Sequence, residues 1–371
     1  MDKDQNNKAR LSVRTKLIII VSIIIAVSLG SITALVSWLV REDLKIAAEE
    51  NNFEANRRAA EEAEELLSNM RAASGQLMYT INALGASQAA APQAAAPQTT
   101  ARQTTARQTT ARQTATQQAA AARQAAAQQA AAQQAADFFF AQNPRAAAFA
   151  CTLKGSRNVF VNRDYFQANN IDPSLAETYF TNNEVFLSRA ARGDTALLNA
   201  APVFKRPVLA LFFTWQAGQD GAGCVLIAAE KLVDSFGFGT NQSFLINDKC
   251  DLLAHSDADL LRNGANVAGF DFIREIQQAP ERNKQQLMKN AFFNFEPPES
   301  RGSTSSAQYF TAFTKLSFGG CIVITGIGRD TVFEGIIATT RRNIYLTAAV
   351  LFISIMITWF FSKKITKQAG E

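Results

Sequence analysis

The sequence has few residues of the kinds that build catalytic and metal centres. It contains one histidine, His255, and four cysteines with no Cys-x-x-Cys pair. A single histidine excludes sites that need two or more, such as a three-histidine zinc centre, and the cysteine spacing excludes zinc-ribbon and thioredoxin patterns. Neither a Gly-x-Ser-x-Gly elbow nor a Walker A loop occurs. We therefore expect no enzyme activity, no catalytic residue, no metal site and no cofactor.

Large apolar side chains are absent from a long internal stretch. Residues 85–137 contain no Val, Ile, Leu, Met, Phe, Tyr or Trp, and they include three copies of Gln-Thr-Thr-Ala-Arg that start at Gln98, Gln103 and Gln108. A period of five matches neither a helix nor a strand, so we expect an insert that builds no core. The Ala/Gln content still favours helix. Two interpretations remain, a disordered tether or a solvated helix, and the pattern favours partial helix after Thr114.

The sequence also lacks a large excess of either positive or negative charge, because the net charge is only +5 over 371 residues. Nucleic acid is therefore not an expected partner. Instead, basic residues cluster before one long apolar run and after another, Leu17–Val40 and Ile344–Phe361. The first run is too long for a signal-peptide core, which favours a retained membrane span. The flanking charges predict that both chain ends are cytoplasmic.

The segment between the two spans is predicted to lie outside the membrane. Residues 41–84 carry an apolar stripe that predicts a helix continuing from the first span. Short strand patterns and short helices then predict an α+β fold on mostly antiparallel sheets. The predicted divisions are residues 1–16 cytoplasmic, 17–40 span, 41–84 helix, 85–137 insert, 138–232 distal lobe, 233–342 proximal lobe with return helix, 343–361 span and 362–371 cytoplasmic.

Strand candidates occur in both predicted lobes. In the distal lobe they are residues 146–151, Glu184–Arg189, Pro207–Trp215 and Gly223–Ala229. In the proximal lobe, Ser243–Ile246 and Leu252–His255 flank a polar turn, and 307–316 and Cys321–Ile327 flank a Gly-Gly turn, so two hairpins are predicted. Asp330 is placed to cap a helix that runs into the second span.

Three stretches resemble the double Cache (PAS-like) sensor domain of bacterial transmembrane receptors. Val161–Phe166 is similar to the family's arginine-plus-aromatics element, Asn247–Asp257 resembles its proximal hairpin, and Phe361–Lys367 is similar to the start of a HAMP relay. Cys250, Ser256 and Gln368 stand where the family usually has glycine, proline and proline. The resemblance implies a two-lobed periplasmic sensor with a long N-terminal helix, flanked by two transmembrane helices.

The resemblance also implies a ligand site in the distal lobe. Arg163, Tyr165 and Phe166 match the family's arginine and aromatics, and Trp215 is a further aromatic candidate. Amino-acid-binding members have an aspartate where Lys205 falls, so we expect a small anionic ligand. The alternative interpretation is that Arg163 is a surface charge and that Tyr165 and Phe166 belong to the core.

The cysteines and the histidine can be explained by structural roles, without catalysis or metal binding. Cys151 and Cys224 fall in the distal lobe and Cys250 and Cys321 in the proximal lobe. One disulfide within each lobe and four buried free thiols are both open interpretations. His255 and Ser256 are adjacent on a predicted strand and point to opposite faces, so we expect a structural histidine.

The sequence thus predicts a homodimeric sensory receptor of the bacterial inner membrane, with a small-molecule ligand outside. Its signal would pass through the second span to a cytoplasmic output, such as a chemotaxis or cyclase domain, that this chain lacks. The alternative is an anchored adhesive surface protein that acts through the Gln-Thr-Thr-Ala-Arg repeat.

Overall fold

The computed structural model describes residues 13–89, 106–153, 156–215, 221–237, 240–289 and 308–368. It contains two long terminal helices, α1 (Val13–Ala89) and α10 (Arg329–Gln368), and a third long helix, α2 (Ala106–Gln142). The short helices are α3 (Arg163–Ala168), α4 (Ser174–Asn182), α5 (Glu184–Ala191), α6 (Ala201–Phe204), α7 (Glu230–Phe236), α8 (Ala258–Arg262) and α9 (Asp271–Gln278).

In the described residues, ten strands form two five-stranded antiparallel sheets. The distal sheet has the order β2-β1-β5-β4-β3 and consists of β1 (Ala146–Leu153), β2 (Ser156–Val161), β3 (Ala196–Asn199), β4 (Val208–Thr214) and β5 (Gly221–Ala228). The proximal sheet, nearer the apolar ends of α1 and α10, has the order β7-β6-β10-β9-β8. It consists of β6 (Gln242–Ile246), β7 (Leu252–His255), β8 (Asn283–Lys289), β9 (Gln308–Lys315) and β10 (Ile322–Gly328). The α+β class and the long N-terminal helix are confirmed.

Helix α1 lies along both sheets. Its stripe from Leu66 to Ile81 is buried in one apolar cluster with side chains of both sheets, as the sequence pattern predicts. At its other end the apolar residues are exposed, for example Ile24 at 62% and Leu35 at 64%. By length and composition, α1 and α10 could each cross a membrane.

The opposite face of the distal sheet is covered by α3 to α6. Small side chains such as Ala148, Ala150 and Ala210 point from the strands, and large rings from the helices fill the space above them. This second cluster is separate from the α1 side because successive strand residues face opposite ways. We call it the aromatic layer; its large rings belong to Phe166, Tyr179, Phe180, Phe186, Phe204 and Phe212.

Two segments differ from the sequence expectations. Glu184–Arg189 is not a strand: it lies in α5, where Leu187 and Ala190, three residues apart, are buried on one helical face. The segment 85–137 was expected to build no core, but Ala132 and Ala136 of α2 are buried against α1. Methyl groups suffice there because the two helices lie close together. The predicted helix after Thr114 is confirmed and begins earlier, at Ala106.

The two lobes meet through side-chain amides. Asn247, in the β6–β7 turn, donates to the carbonyl of Leu197 at 3.3 Å, and Asn199 donates to the carbonyl of Leu261 at 2.8 Å.

Both hairpins that the sequence predicts in the proximal lobe are present. Strand β10 ends at Gly328, and α10 begins at the next residue, so the proximal sheet continues directly into the second apolar helix.

Candidate ligand-binding site

The start of α3 is fixed by a buried asparagine. Asn162 accepts a hydrogen bond from the backbone N–H of Tyr165 at 3.2 Å, which caps the helix. Its Nδ2 donates to the carbonyl of Ala146 on β1 at 2.9 Å, and only 8% of the residue is exposed. Arg163, the first residue of α3, is therefore held at a defined place beside the distal sheet while its side chain stays exposed.

Arg163 faces two adjoining cavities between α2 and α3. Their volumes are about 550 and 500 Å³, and both are lined by Gln133, Val161 and Arg163. We call them together the α2–α3 groove. Tyr165 lines the larger cavity and Pro173 the smaller one. The arginine predicted from the sequence is thus the one charged side chain shared by the two cavities among the lining residues that the structure describes.

The groove also contains carboxylates. Asp137 and Asp164 line the larger cavity with Arg163, and Gln133 Nε2 donates to Asp137 Oδ1 at 2.8 Å. A guanidinium can bind a carboxylate through two parallel hydrogen bonds, whereas an aspartate suits an ammonium group. The charged groups of this surface therefore suit a ligand that carries both signs better than one that carries only negative charge.

Tyr165 connects the groove to the helix that joins the lobes. Its hydroxyl donates to Glu230 Oε1 at 3.5 Å, and Glu230 pairs with Arg206 at 3.5 Å. Burial, and after it the negative charge of Glu230, raises the pKa of Tyr165 well above the ordinary tyrosine value, so the phenol stays protonated as a donor. Glu230 is the first residue of α7, which runs from the distal sheet to the proximal one.

Phe166 lies beneath the groove, in the aromatic layer. Its ring is fully buried and contacts the rings of Tyr165 and Phe204 edge-on, with centroids 5.8 and 6.1 Å apart. Tyr179 packs on the same Phe204 at 5.7 Å. Phe166 therefore supports Tyr165 from below, in agreement with the interpretation that places it in the core.

The structure does not bring Lys205 and Trp215 to the groove. Lys205 adopts a left-handed conformation with φ 58° at the end of α6, and its carbonyl accepts from Arg262 Nε of the proximal lobe at 3.2 Å. Its side chain is exposed. Trp215 packs against the cluster on the α1 side of the distal sheet. Neither Lys205 nor Trp215 lines the groove, because strand alternation and the α6 turn point them elsewhere.

Several groove residues were not expected from the sequence. Gln133 and Asp137 belong to the Ala/Gln segment, whose composition carries no site signal. Asn169 Nδ2 donates to the carbonyl of Tyr165 at 2.8 Å and closes α3. Only Asn162 had a usable signal, since an asparagine directly before Arg163-Asp164 fits a helix N-cap.

All four cysteines are buried free thiols. Cys151 lies opposite Gly223 and Cys224 opposite Ala150, so the two sulfurs point to opposite faces of the distal sheet and cannot form the disulfide that one interpretation proposed. Burial raises the pKa of Cys151 to about 12 and that of Cys321 to about 12. Both remain unreactive thiols at neutral pH.

His255 has a structural environment. Its residue is 5% exposed, its Nδ1 accepts from the backbone N–H of Asp257 at 2.9 Å, and its ring centroid lies 6.3 Å from that of Phe244. The bond to the backbone orients the ring within the β6–β7 hairpin. This agrees with the expected structural histidine.

No protein-family model matches the chain, and no curated protein matches it. Solved structures do match. The sensory domain of the Campylobacter jejuni chemoreceptor Tlp3 with isoleucine bound is 12% identical, with coverage of 79% of this chain and 97% of that one and a TM-score of 0.41. The ligand-binding domain of the Pseudomonas aeruginosa PAO1 chemoreceptor PctC with GABA is 16% identical, with 75% and 99% covered and a TM-score of 0.38.

A third similar structure is the ligand-binding domain of Mlp24 with asparagine. It is 12% identical, with 80% of this chain and 98% of that one covered and a TM-score of 0.43. These three structures are sensory or ligand-binding domains. At these identities and TM-scores they assign no ligand contact to any residue of this chain.

Proposed function

We propose that this chain is a sensory receptor subunit whose two-lobed domain binds a small molecule in the α2–α3 groove. The observation that carries the proposal is a physical connection between the groove and α10. Tyr165 of the groove is hydrogen bonded to the first residue of α7, and the proximal sheet that follows α7 ends in α10. Binding at the groove can therefore reach α10 through consecutive elements. Any such response requires that the ligand binds two states with different affinity.

The ligand class follows from the charges of the groove. The expectation of an anion depended on Lys205, which lies outside the groove. Arg163 with Asp137 and Asp164 favours a small zwitterion, whose carboxylate would bind Arg163 and whose ammonium would bind an aspartate. We propose this class in place of an organic acid.

The membrane arrangement is part of the proposal. Two exposed apolar helices, α1 and α10, suit insertion in a bacterial inner membrane, with the two lobes outside and the basic ends inside.

Two copies would stand side by side along α1. Cross-linking of single cysteines placed at successive positions of residues 45–70 should then follow a helical period, and a flat profile would contradict the dimer.

Calorimetric titration of the full chain in detergent tests the ligand site. A panel of amino acids and of dicarboxylates should give binding only for zwitterions. Arg163→Gln should weaken it at least about tenfold, since a charge-assisted bidentate pair contributes roughly 1.5–3 kcal/mol. Arg192→Gln is the matched control, because Arg192 is an exposed arginine of the same lobe that does not line the groove. Equal loss in both variants, or binding of dicarboxylates alone, would overturn the proposed site.

A further inference from the structure

Helix α1 is attached to the proximal sheet by buried asparagines rather than by apolar side chains alone. Asn52 Nδ2 donates to the carbonyl of Phe310 on β9 at 3.0 Å and to that of Thr325 on β10 at 3.3 Å. The side chain is fully buried, and its Oδ1 has no hydrogen-bond partner among the described residues. Each asparagine of this kind fixes the helix along the strands, because hydrogen bonds are directional.

One turn further along α1, Asn56 repeats the arrangement. Its Nδ2 donates to the carbonyl of Ala312 on β9 at 3.2 Å and to that of Val323 on β10 at 3.1 Å. Its Oδ1 also accepts from the hydroxyl of Thr314 at 2.6 Å. The second pair of carbonyls lies two strand residues from the first pair.

The spacing of the asparagines nearly equals that of their acceptors. Four helical residues advance by about 6.0 Å, and two strand residues advance by about 6.6–6.8 Å. If α1 moves by one turn toward its own N-terminus, Asn56 arrives at the acceptors that Asn52 now uses. The same buried bonds can then be made again by a different asparagine.

The neighbouring positions allow this movement. Ala48 and Ala60 stand one turn before and one turn after the two asparagines and are buried on the same face, at 8% and 3% exposure. After the shift, Ala60 enters the place of Asn56. A methyl group fits where an amide was, whereas a large side chain would clash with the sheet.

The apolar helix pair shows the same one-turn repeat independently. Thr33 Oγ1 of α1 lies 3.2 Å from Thr347 Oγ1 of α10. Ser37 follows Thr33 by one turn and is partly buried on the same face. The shift that brings Asn56 to the acceptors of Asn52 also brings Ser37 to Thr347, so a hydroxyl pair is kept between the helices.

We infer that α1 has two registers on the proximal sheet, one helical turn apart. Asn52 and Asn56 hold it in the observed register, and Asn56, at the acceptors of Asn52, holds it in the shifted one. The distal lobe moves with α1, to which its core is packed, and α10 stays with the proximal sheet. The shift breaks the exposed pair of Glu64 and Arg282, at 3.4 Å, which is a weak interaction. It also breaks the hydrogen bonds between the lobes, from Asn247 to Leu197 and from Asn199 to Leu261, so the shifted register needs a new contact between the lobes. The two registers are intrinsic to the chain, and the inference rests on the proposed function only for the ligand that would select between them.

Cysteine pairs on the apolar helices report the register in the full chain in membranes. Thr33→Cys with Thr347→Cys should cross-link in the observed register, and Ser37→Cys with Thr347→Cys in the shifted one. Leu35→Cys with Thr347→Cys is the control, because Leu35 is 64% exposed on another face. The 37–347 pair should cross-link faster than the 35–347 pair. Equal rates for these two would overturn the inference.

Moving the asparagine pair by one turn should move the register with it. In Asn52→Ala/Ala60→Asn the amides stand at positions 56 and 60, so the shifted register regains the full set of bonds. The preferred cross-link should change from 33–347 to 37–347, by about fivefold or more for each hydrogen bond regained. Asn52→Ala alone should give an intermediate ratio. Unchanged preference for 33–347 in the double variant contradicts the inference.

A variant with the opposite expected result guards against a double variant that fails to fold. Asn56→Ala removes the amide that the shifted register needs and leaves Asn52 at its present acceptors, so it should favour the 33–347 cross-link over the 37–347 cross-link. These results need no ligand. Retained binding in Arg163→Gln with the expected cross-link pattern would overturn the proposed site alone, and weakened binding with an unchanged preference for 33–347 in the double variant would overturn the two-register inference alone.

Discussion

Helix α1 is attached to its two sheets by different physical means. Its stripe buries Leu67, Met70 and Met78 in an apolar cluster with side chains of both sheets, and Met78 lies against Gly223 of the distal sheet. On the proximal sheet it buries the amides of Asn52 and Asn56. Apolar burial is non-directional and grows with area, whereas amide bonds act only at fixed positions. The distal attachment therefore supplies most of the stability, and the proximal attachment sets where the helix stands along the strands.

Truncation of the distal stripe tests the first half of this comparison and should have the largest effect. Leu67 is 1% exposed, so Leu67→Ala should lower the free energy of unfolding by about 2–5 kcal/mol through lost burial and the cavity left behind. Chemical denaturation of the full chain in detergent measures it. Leu44→Ala on the same helix is the control, because Leu44 is 39% exposed. Similar losses in both would show that helix propensity, not packing on the sheet, holds α1.

Removal of the proximal amides should cost less. Asn56→Ala deletes the donor to two carbonyls and leaves the hydroxyl of Thr314 without its acceptor, so the free energy of unfolding should fall by about 2–3 kcal/mol. Asn52→Ala should cost less than Asn56→Ala, since the Oδ1 of Asn52 accepts no bond from the described residues. The neighbouring Asn51 is exposed, and Asn51→Ala should change stability by less than about 0.5 kcal/mol. A reversed order of Asn52 and Asn56 would refute the bond assignment.

The apolar attachment was predictable from the sequence, and the polar one was not. The stripe from Leu66 to Ile81 repeats with the period of a helix, and the hairpins alternate around Asn247 and Gly319, so local pattern carries them. Asn52 and Asn56 look like solvated helix positions in the sequence. They are buried only because carbonyls of β9 and β10, more than 250 residues away, come to meet them.

The candidate site shows the same division. Arg163 and Tyr165 lie together at the groove, as the sequence predicts, because their spacing within one short helix is local. Lys205 and Trp215 were misplaced because the face that each side chain reaches depends on the left-handed turn after α6 and on the register of β4. Glu184–Arg189 was misassigned since a run of six residues with mixed polarity fits a strand as well as a short helix. One carboxylate of the groove, Asp137, comes from α2, whose packing follows from no periodic pattern.

Two glycines sharpen the comparison at the smallest scale. A Cβ added at Gly223 of β5 would lie 2.7 Å from the Phe213 ring and 2.9 Å from Met78 Sδ, so Gly223→Ala should lower the free energy of unfolding by about 1–3 kcal/mol. At Gly75 of α1, a Cβ would meet no atom of the described residues within 4 Å. Gly75→Ala should therefore raise the free energy of unfolding by about 0.5–1 kcal/mol, because alanine restricts the unfolded chain and favours helix. The denaturation midpoint should fall in Gly223→Ala and rise in Gly75→Ala, although both glycines belong to the contact between α1 and the distal sheet. If Gly75→Ala lowered the free energy of unfolding, the added methyl group would have to clash with a neighbouring atom. If Gly223→Ala left the free energy of unfolding unchanged, Met78 and the Phe213 ring would have to move aside without loss of packing.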